Sequence, residues 1–343
     1  MVDPITHPVS QAMAGGSHGL LARAYFRIKP YLPLGVRWAV RRVRIPRIMK
    51  RNAGVWPIDE SASGRPCDWN GWPGGKQFAL VFTHDVESEQ GLHKVKELAE
   101  LEVKHGFRSS FNFIPEGSYN DPVELREWLE TNGFEVGVHD LYHDGHLYES
   151  RESFSRKAKS INRYLGKWRA VGFRSGFMLR QLDWLHDLDV LYDTSTFDTD
   201  PFEPQPEGSH TIFPFHVKPP AGIKGPGYVE LSYTLPQDST LFLLLREKTT
   251  DIWKRKLDWI ARNGGLALVN IHPDYVDFSR RQGANESYPS ELLIEFMSYI
   301  NSHYQGAFWN PLARDLASWF RDQSSQIAPT VPPADVSPSP PQS

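Results

Sequence analysis

The chain has 343 residues, 40% of them apolar and 13% aromatic, with a formal net charge of −3. That supplies one large core, or two at most, and excludes a molecule whose whole surface is an electrostatic match for nucleic acid. The single cysteine, Cys67, excludes an internal disulfide framework and a cysteine-rich zinc site. In chain order, the first feature is basic: between Ala22 and Arg51 stand ten Lys or Arg and no Asp or Glu. Apolar and basic residues interleave there, which suits an anionic membrane surface or an acidic patch of the chain's own body. Pro30 and Pro33 rule out one long helix. Residues 1–75 are read as this basic amphipathic segment followed by a linker.

From residue 76 strand and helix patterns alternate. "QFALVFT" is a compact apolar run of strand length, and residues 91–105 carry helical spacing at Leu92, Val95, Leu98, Ala99 and Val103. "SSFNFI" reads as strand, "PVELREWLETN" as helix closed by Gly133, and "FEVGV" as strand. Residues 151–165 read as helix, then "AVGF", "LDVLYDTS" and "YVELSYT" as strands. "DIWKRKLDWIARN" is a helix stopped by Gly264 and Gly265, and "LALVNI" a fully apolar strand. "SELLIEFMSYINSHY" and "PLARDLASWF" close the series as helices. This alternation predicts an α/β domain over 76–320, a parallel sheet covered by helices. Short, wholly apolar strands suit a barrel, with chemistry on the loops that leave the carboxyl ends of its strands. Residues 321–343, rich in Pro and Ser, are expected to be a disordered tail.

The ends of the strands carry the chemistry. "FALVFT" delivers Asp85 and Glu87, "FEVGV" delivers His139 and His143, "AVGF" delivers Arg174, and "LALVNI" delivers His272. A lone histidine after a strand is ordinarily a turn residue; the coincidence across four strands points to a site. His139 and His143 offer two imidazoles at a spacing that a helical turn or a tight loop can bring to one point. Glu87 or Asp85 supplies a carboxylate. Two histidines and one carboxylate leave positions open for water, the composition of a hydrolytic metal site. His146 is expected at the surface or behind the ligands. The Pro- and Gly-rich stretch from Thr199 to Tyr228 is either a self-packing insertion or a rim for the cleft.

These motifs resemble the polysaccharide deacetylase superfamily (NodB homology, carbohydrate esterase family four) over roughly residues 76–310. Its Thr-Phe-Asp-Asp motif is matched by Thr83-His84-Asp85-Val86-Glu87, and His-Ser/Thr-x-x-His by "HDLYH". Arg-x-Pro is matched in part by Arg174-Ser175-Gly176, and Leu-x-His by "VNIH" with His272. The resemblance implies a distorted (β/α)7-type barrel of the glycoside hydrolase and deacetylase kind. It implies a divalent metal on Glu87, His139 and His143, Asp85 as general base, Arg174 orienting it and His272 as general acid. Zinc is the first expectation for that metal, although cobalt, nickel or iron suit the same donors. Three departures stand out: Glu87 in place of the second Asp, Gly176 in place of Pro, and no clear counterpart of the Asp-Trp motif that tunes the acid histidine. Asp258-Trp259 falls within a predicted helix, Asp238 is a bare candidate, and Asp193 is read as shaping the barrel or capping a turn.

The expected function is metal-dependent hydrolysis of an amide in an N-acetylated saccharide. The alternatives are an allantoinase-like hydrolase of small amides and a non-catalytic barrel that binds glycans or scaffolds polysaccharide synthesis. A saccharide is the expected partner and nucleic acid is not. No apolar run approaches the roughly 20 residues of a membrane span, and the first residues lack the pattern of a secretory signal. A cytoplasmic location, with membrane contact through the basic segment, is the expectation.

Overall fold

A computed structural model describes residues 34–67, 69–222, 225–279 and 286–327. Arg23, Arg27, Lys29, Pro30 and Pro33 of the basic segment lie outside the described residues, as do 328–343 of the expected tail.

Strand β1 (Phe78–Val86) is the centre of the sheet. It runs parallel to β2 (Ser109–Phe113) from Phe82 to Val86, to β8 (Leu266–Ile271) from Ala79 to His84, and to β9 (Phe308–Trp309) at its first two residues. Covered on both faces, all nine residues of β1 are buried, which explains why "FALVF" shows no alternation of polarity. The alternation survives in direction. Phe78, Leu80 and Phe82 pack outward under the helices, while Ala79 and Val81 join Leu266 and Leu268 in a separate inner cluster. Thr83 and Asp85 continue that inner row.

From β2 the parallel order runs through β3 (Glu135–His139), β4 (Gly172–Arg174), β5 (Tyr192–Asp193) and β7 (Tyr228–Glu230). β6 (Phe215–Val217) adds one antiparallel strand beyond β7. Eight parallel strands, counting Phe308–Trp309 beside the start of β1, thus form a curled wall, and the gap between β7 and β8 is spanned by a single bridge between Leu235 and Val269. This is the distorted barrel expected from the sequence. β5 and β7 are shorter than "LDVLYDTS" and "YVELSYT" predict. Among the described residues no helix joins them; the segment from Thr199 onward does, burying Phe202, Ile212 and Phe213, and beyond Tyr233 the chain crosses to β8, where the Thr234 and Leu235 amides donate to the Leu268 carbonyl.

Helices cover the outside. α1 (Leu34–Arg51) contains Pro46. α2 (Glu89–His105) is capped by Ser88, whose side chain accepts from the Gly91 amide, and ends at Gly106 with φ +84°. α3 (Val123–Thr131), α4 (Arg151–Trp168), α5 (Asp251–Asn263) and α6 (Glu291–Tyr304) fall where their apolar spacing places them. α7 (Ala313–Ile327) adds Ala313, Leu316 and Ala317 to the inner cluster, so it plugs the barrel floor. It continues as helix to Ile327, past the boundary expected at 321. With the floor plugged, the opposite rim, where β1, β3, β4 and β8 end, is the open face.

Candidate active site

Inward alternation brings Asp85 of β1, Asn112 of β2, Arg174 of β4 and Asn270 of β8 together. Asp85 Oδ1 accepts from Asn112 at 3.0 Å and from the Arg174 guanidinium at 3.3 Å, and Oδ2 accepts from Asn270 at 2.8 Å. Burial by itself raises the Asp85 carboxyl, but the charges of Arg174 and His272 and the Asn112 bond outweigh it. The group is held well below the usual carboxylate range. Asn270 also accepts from Arg174 and touches Gln237 at 3.2 Å. It stands at the leucine position of Leu-x-His, so polar ties hold the general-base candidate where the family pattern has an apolar residue.

His139 closes β3. Its Nδ1 lies 3.1 Å from the Arg174 carbonyl oxygen, which can only accept, so the proton sits on Nδ1 and the lone pair on Nε2. That Nε2 is buried and, among the described residues, has no hydrogen-bond partner. Burial lowers the His139 pKa, which keeps the ring neutral. His143 follows in a loop rather than a helical turn, since Asp140 and His143 both have left-handed φ, +56° and +55°. Its Nε2 lies 3.1 Å from Glu87 Oε1. One donor atom from each of Glu87, His139 and His143 lies within 4.8 Å of the other two. A neutral imidazole with an unused buried lone pair, a second imidazole and an ionised carboxylate suit a divalent cation. Glu87 is held well below its ordinary value: burial opposes this, and His143 outweighs it by charge and hydrogen bond.

Glu87 is itself anchored. Its amide donates to Asp274 Oδ2 at 3.1 Å, its Oε2 accepts from Tyr275 at 3.1 Å, and the Ser88 hydroxyl donates to Asp274. The extra methylene of Glu relative to Asp is thus accommodated by a fixed backbone. Gly176 has a comparable role. A Cβ there would sit 2.5 Å from Asp140 Oδ2 and 2.8 Å from the His143 ring. The missing proline therefore marks the space that His143 occupies, and a side chain at this position would collide with it.

His272 leaves β8 beside this group, with one of its ring nitrogens 3.8 Å from Glu87 Oε1. Its Nδ1 donates to Asp238 Oδ1 at 2.7 Å, and Asp238 Oδ2 accepts from the His272 amide and from Tyr288. Burial lowers the His272 pKa, yet the charge and hydrogen bond of Asp238, with Glu87 and Asp85 behind them, push it up to about 10. Asp238 takes the orienting place for which Asp258-Trp259 was considered; those two lie in α5. The structure brings all six candidate residues into one cluster. His146 lies outside it, and Asp193 accepts from the Ser195 amide as a turn cap.

Asn112 and Asn270 were not among the expected site residues, although alternation from Asp85's neighbours and from His272 carries the signal that finds them. Asp238 lies 34 residues before His272 in a loop with no periodicity, and only the fold identifies it. Phe177, at 4.2 Å from the His143 ring and with φ +57°, is another residue no sequence pattern marks.

No protein-family model matches the sequence, and no curated protein sequence does. Among solved structures the chain is similar to a Mycobacterium smegmatis protein assigned as a polysaccharide deacetylase. The identity is 16% and the TM-score 0.57, over 74% of this chain and 93% of that one. More distant likenesses are the peptidoglycan deacetylase PdaC from Bacillus subtilis (9%, TM-score 0.42, 74% and 96% covered) and a family 4 acetyl xylan esterase from Clostridium thermocellum in complex with cobalt (10%, TM-score 0.41, 70% and 91% covered). The likeness to the Mycobacterium smegmatis structure shows that the fold is the polysaccharide deacetylase barrel. Among the described residues, no helix is long and apolar enough to cross a membrane.

Proposed function

We propose that the chain is a divalent-metal-dependent hydrolase that removes acetyl groups from an N-acetylated saccharide. The observation that carries this is the buried, unpartnered Nε2 of His139, which faces the same point as Glu87 and His143. Those three residues would hold the cation, zinc by first expectation. When bound, the cation supplies Lewis-acid chemistry, drawing charge from a carbonyl oxygen and acidifying water.

The chain's own residues account for the proton movements. Asp85, fixed by Arg174, Asn112 and Asn270, accepts the proton of the attacking water. The same three residues keep Asp85 ionised, so its carboxylate is available to take up that proton. His272 keeps Nδ1–H on Asp238 and presents Nε2–H toward the site, where it protonates the departing amine. Arg174 holds Asp85 ionised and also receives the Nδ1–H of His139 on its carbonyl, so one residue orients both the base and a ligand. A lipid-linked or nucleotide-linked sugar in the cytoplasm is the substrate class proposed.

The test is elemental analysis of protein purified without chelator, beside the His139→Ala/His143→Ala double variant, followed by acetate release from N-acetylated oligosaccharides. The expected result is near one divalent ion per parent chain, little in the variant, and acetate release by the parent alone. Failure of the parent to bind zinc or cobalt would overturn the mechanism.

A further inference from the structure

The basic helix α1 divides its cations between two faces. Arg41 donates to the Phe202 carbonyl at 2.9 Å and Arg42 to the Leu243 carbonyl at 2.7 Å, while Ile45 and Ile48 pack against the core. Arg41 also stands close enough to the buried Asp200 and Glu203 to favour their ionised forms. The inward face therefore already uses the acidic and carbonyl groups of the body. Arg44, Arg47, Lys50 and Arg51 are exposed on the remaining surface, and no acidic residue occurs in the helix. Beside them Val43 is 82% exposed, and Met49 and Val55 are also exposed.

We infer that this outward face of α1 docks on an anionic lipid bilayer. The four cations match lipid phosphates, and the chain's net charge of −3 shows that they are segregated rather than part of a generally basic surface. The apolar side chains distinguish the partner. A bilayer interface takes up valine and methionine among cations, whereas a nucleic-acid backbone offers nothing to bury them.

The two inward arginines fix where the bilayer lies. Leu243 belongs to the helical segment Ser239–Leu244 that begins immediately after Asp238, the partner of His272. Phe202 adjoins Glu203, which accepts from Gln237 at 2.7 Å, and Gln237 reaches Asn270 and so Asp85. The helix rests on the two loops that support the catalytic base and acid candidates, and a bilayer on its outer face is held at the edge of the site.

The test is sedimentation of the full chain with vesicles of equimolar phosphatidylglycerol and phosphatidylcholine, and with phosphatidylcholine alone. It needs no catalysis, so its outcome is separate from that of the proposed reaction. Each basic residue near an anionic surface contributes roughly fivefold in partitioning, and four contribute several hundredfold. The Arg44→Gln/Arg47→Gln/Lys50→Gln/Arg51→Gln variant, whose changes are all at exposed positions, is expected to lose at least about 100-fold in binding to the anionic vesicles. Val43→Asp weakens binding further, and high salt abolishes it. Equal binding by parent and quadruple variant, no binding by the parent, or binding to duplex DNA in preference to anionic vesicles would each overturn the inference.

Discussion

Replacing Gly176 by Ala tests the most local claim about the metal-ligand loop. The new methyl would start 2.5 Å from Asp140 Oδ2 and 2.8 Å from the His143 ring, against a carbon contact of about 3.5–4.0 Å. Both neighbours must retreat by about 1 Å. Asp140 resists, because its Oδ1 accepts from the Leu141 amide at 2.6 Å and its own amide donates to the Arg174 carbonyl at 2.8 Å. His143 resists less, but Phe177 lies 4.2 Å behind its ring. The ring therefore rotates or slides, and its Nε2 leaves the 3.1 Å approach to Glu87. Metal sites tolerate donor displacements of only about 0.2 Å. The expected loss in zinc or cobalt affinity is about 10–100-fold, or about 1.4–2.7 kcal/mol. Overpacking costs about 1–3 kcal/mol of stability in addition. Calorimetric metal titration measures the first effect and urea unfolding the second. Gly64→Ala, where a Cβ meets nothing within 4 Å, is the control and leaves affinity unchanged. A Gly176→Ala protein that binds metal within twofold of the parent would refute the reasoning.

Three further outcomes are expected. Because the folded pKa of His272, about 10, lies above its ordinary 6.5, its charge contributes fully to stability below 6.5 and the contribution is lost as pH rises through 10. Thermal melting of metal-free protein should thus decline over that window, and Asp238→Asn should remove most of the slope; parallel curves for the two proteins would contradict the Asp238–His272 assignment. Asn270→Ala, which frees Asp85 Oδ2 and removes one of the acceptors of Arg174, should lower kcat about 10–100-fold with metal content unchanged, as read by steady-state kinetics and elemental analysis. Lys256 and Asp198 form a fully buried ion pair at 2.8 Å, so Lys256→Met should destabilise by about 3–5 kcal/mol, and Lys256→Met/Asp198→Leu should recover most of it. Urea unfolding of the two variants checks this, and equal stability of single and double variants would count against it.

What the sequence determined by itself is what local physics decides. Helical spacing marked α2, α4 and α5, continuous apolar runs marked β1 and β8, and the residues following those strands carried Asp85, Glu87, His139, Arg174 and His272 onto one rim. Alternation along a strand is a local rule, so an inward Asp85 or Asn270 is implied by its neighbours. The tertiary structure decided everything that joins distant segments. The partner of His272 is Asp238, because the chain after β7 crosses the barrel gap and starts the helical segment Ser239–Leu244 beside the end of β8. Gly176 serves His143, because the loop after β3 folds over the end of β4 with two left-handed residues that no periodicity encodes. The two faces of α1 separated only when Arg41 and Arg42 met carbonyls about 160 and 200 positions away. Composition recorded how many cations the segment has, and packing decided which of them remain for a partner.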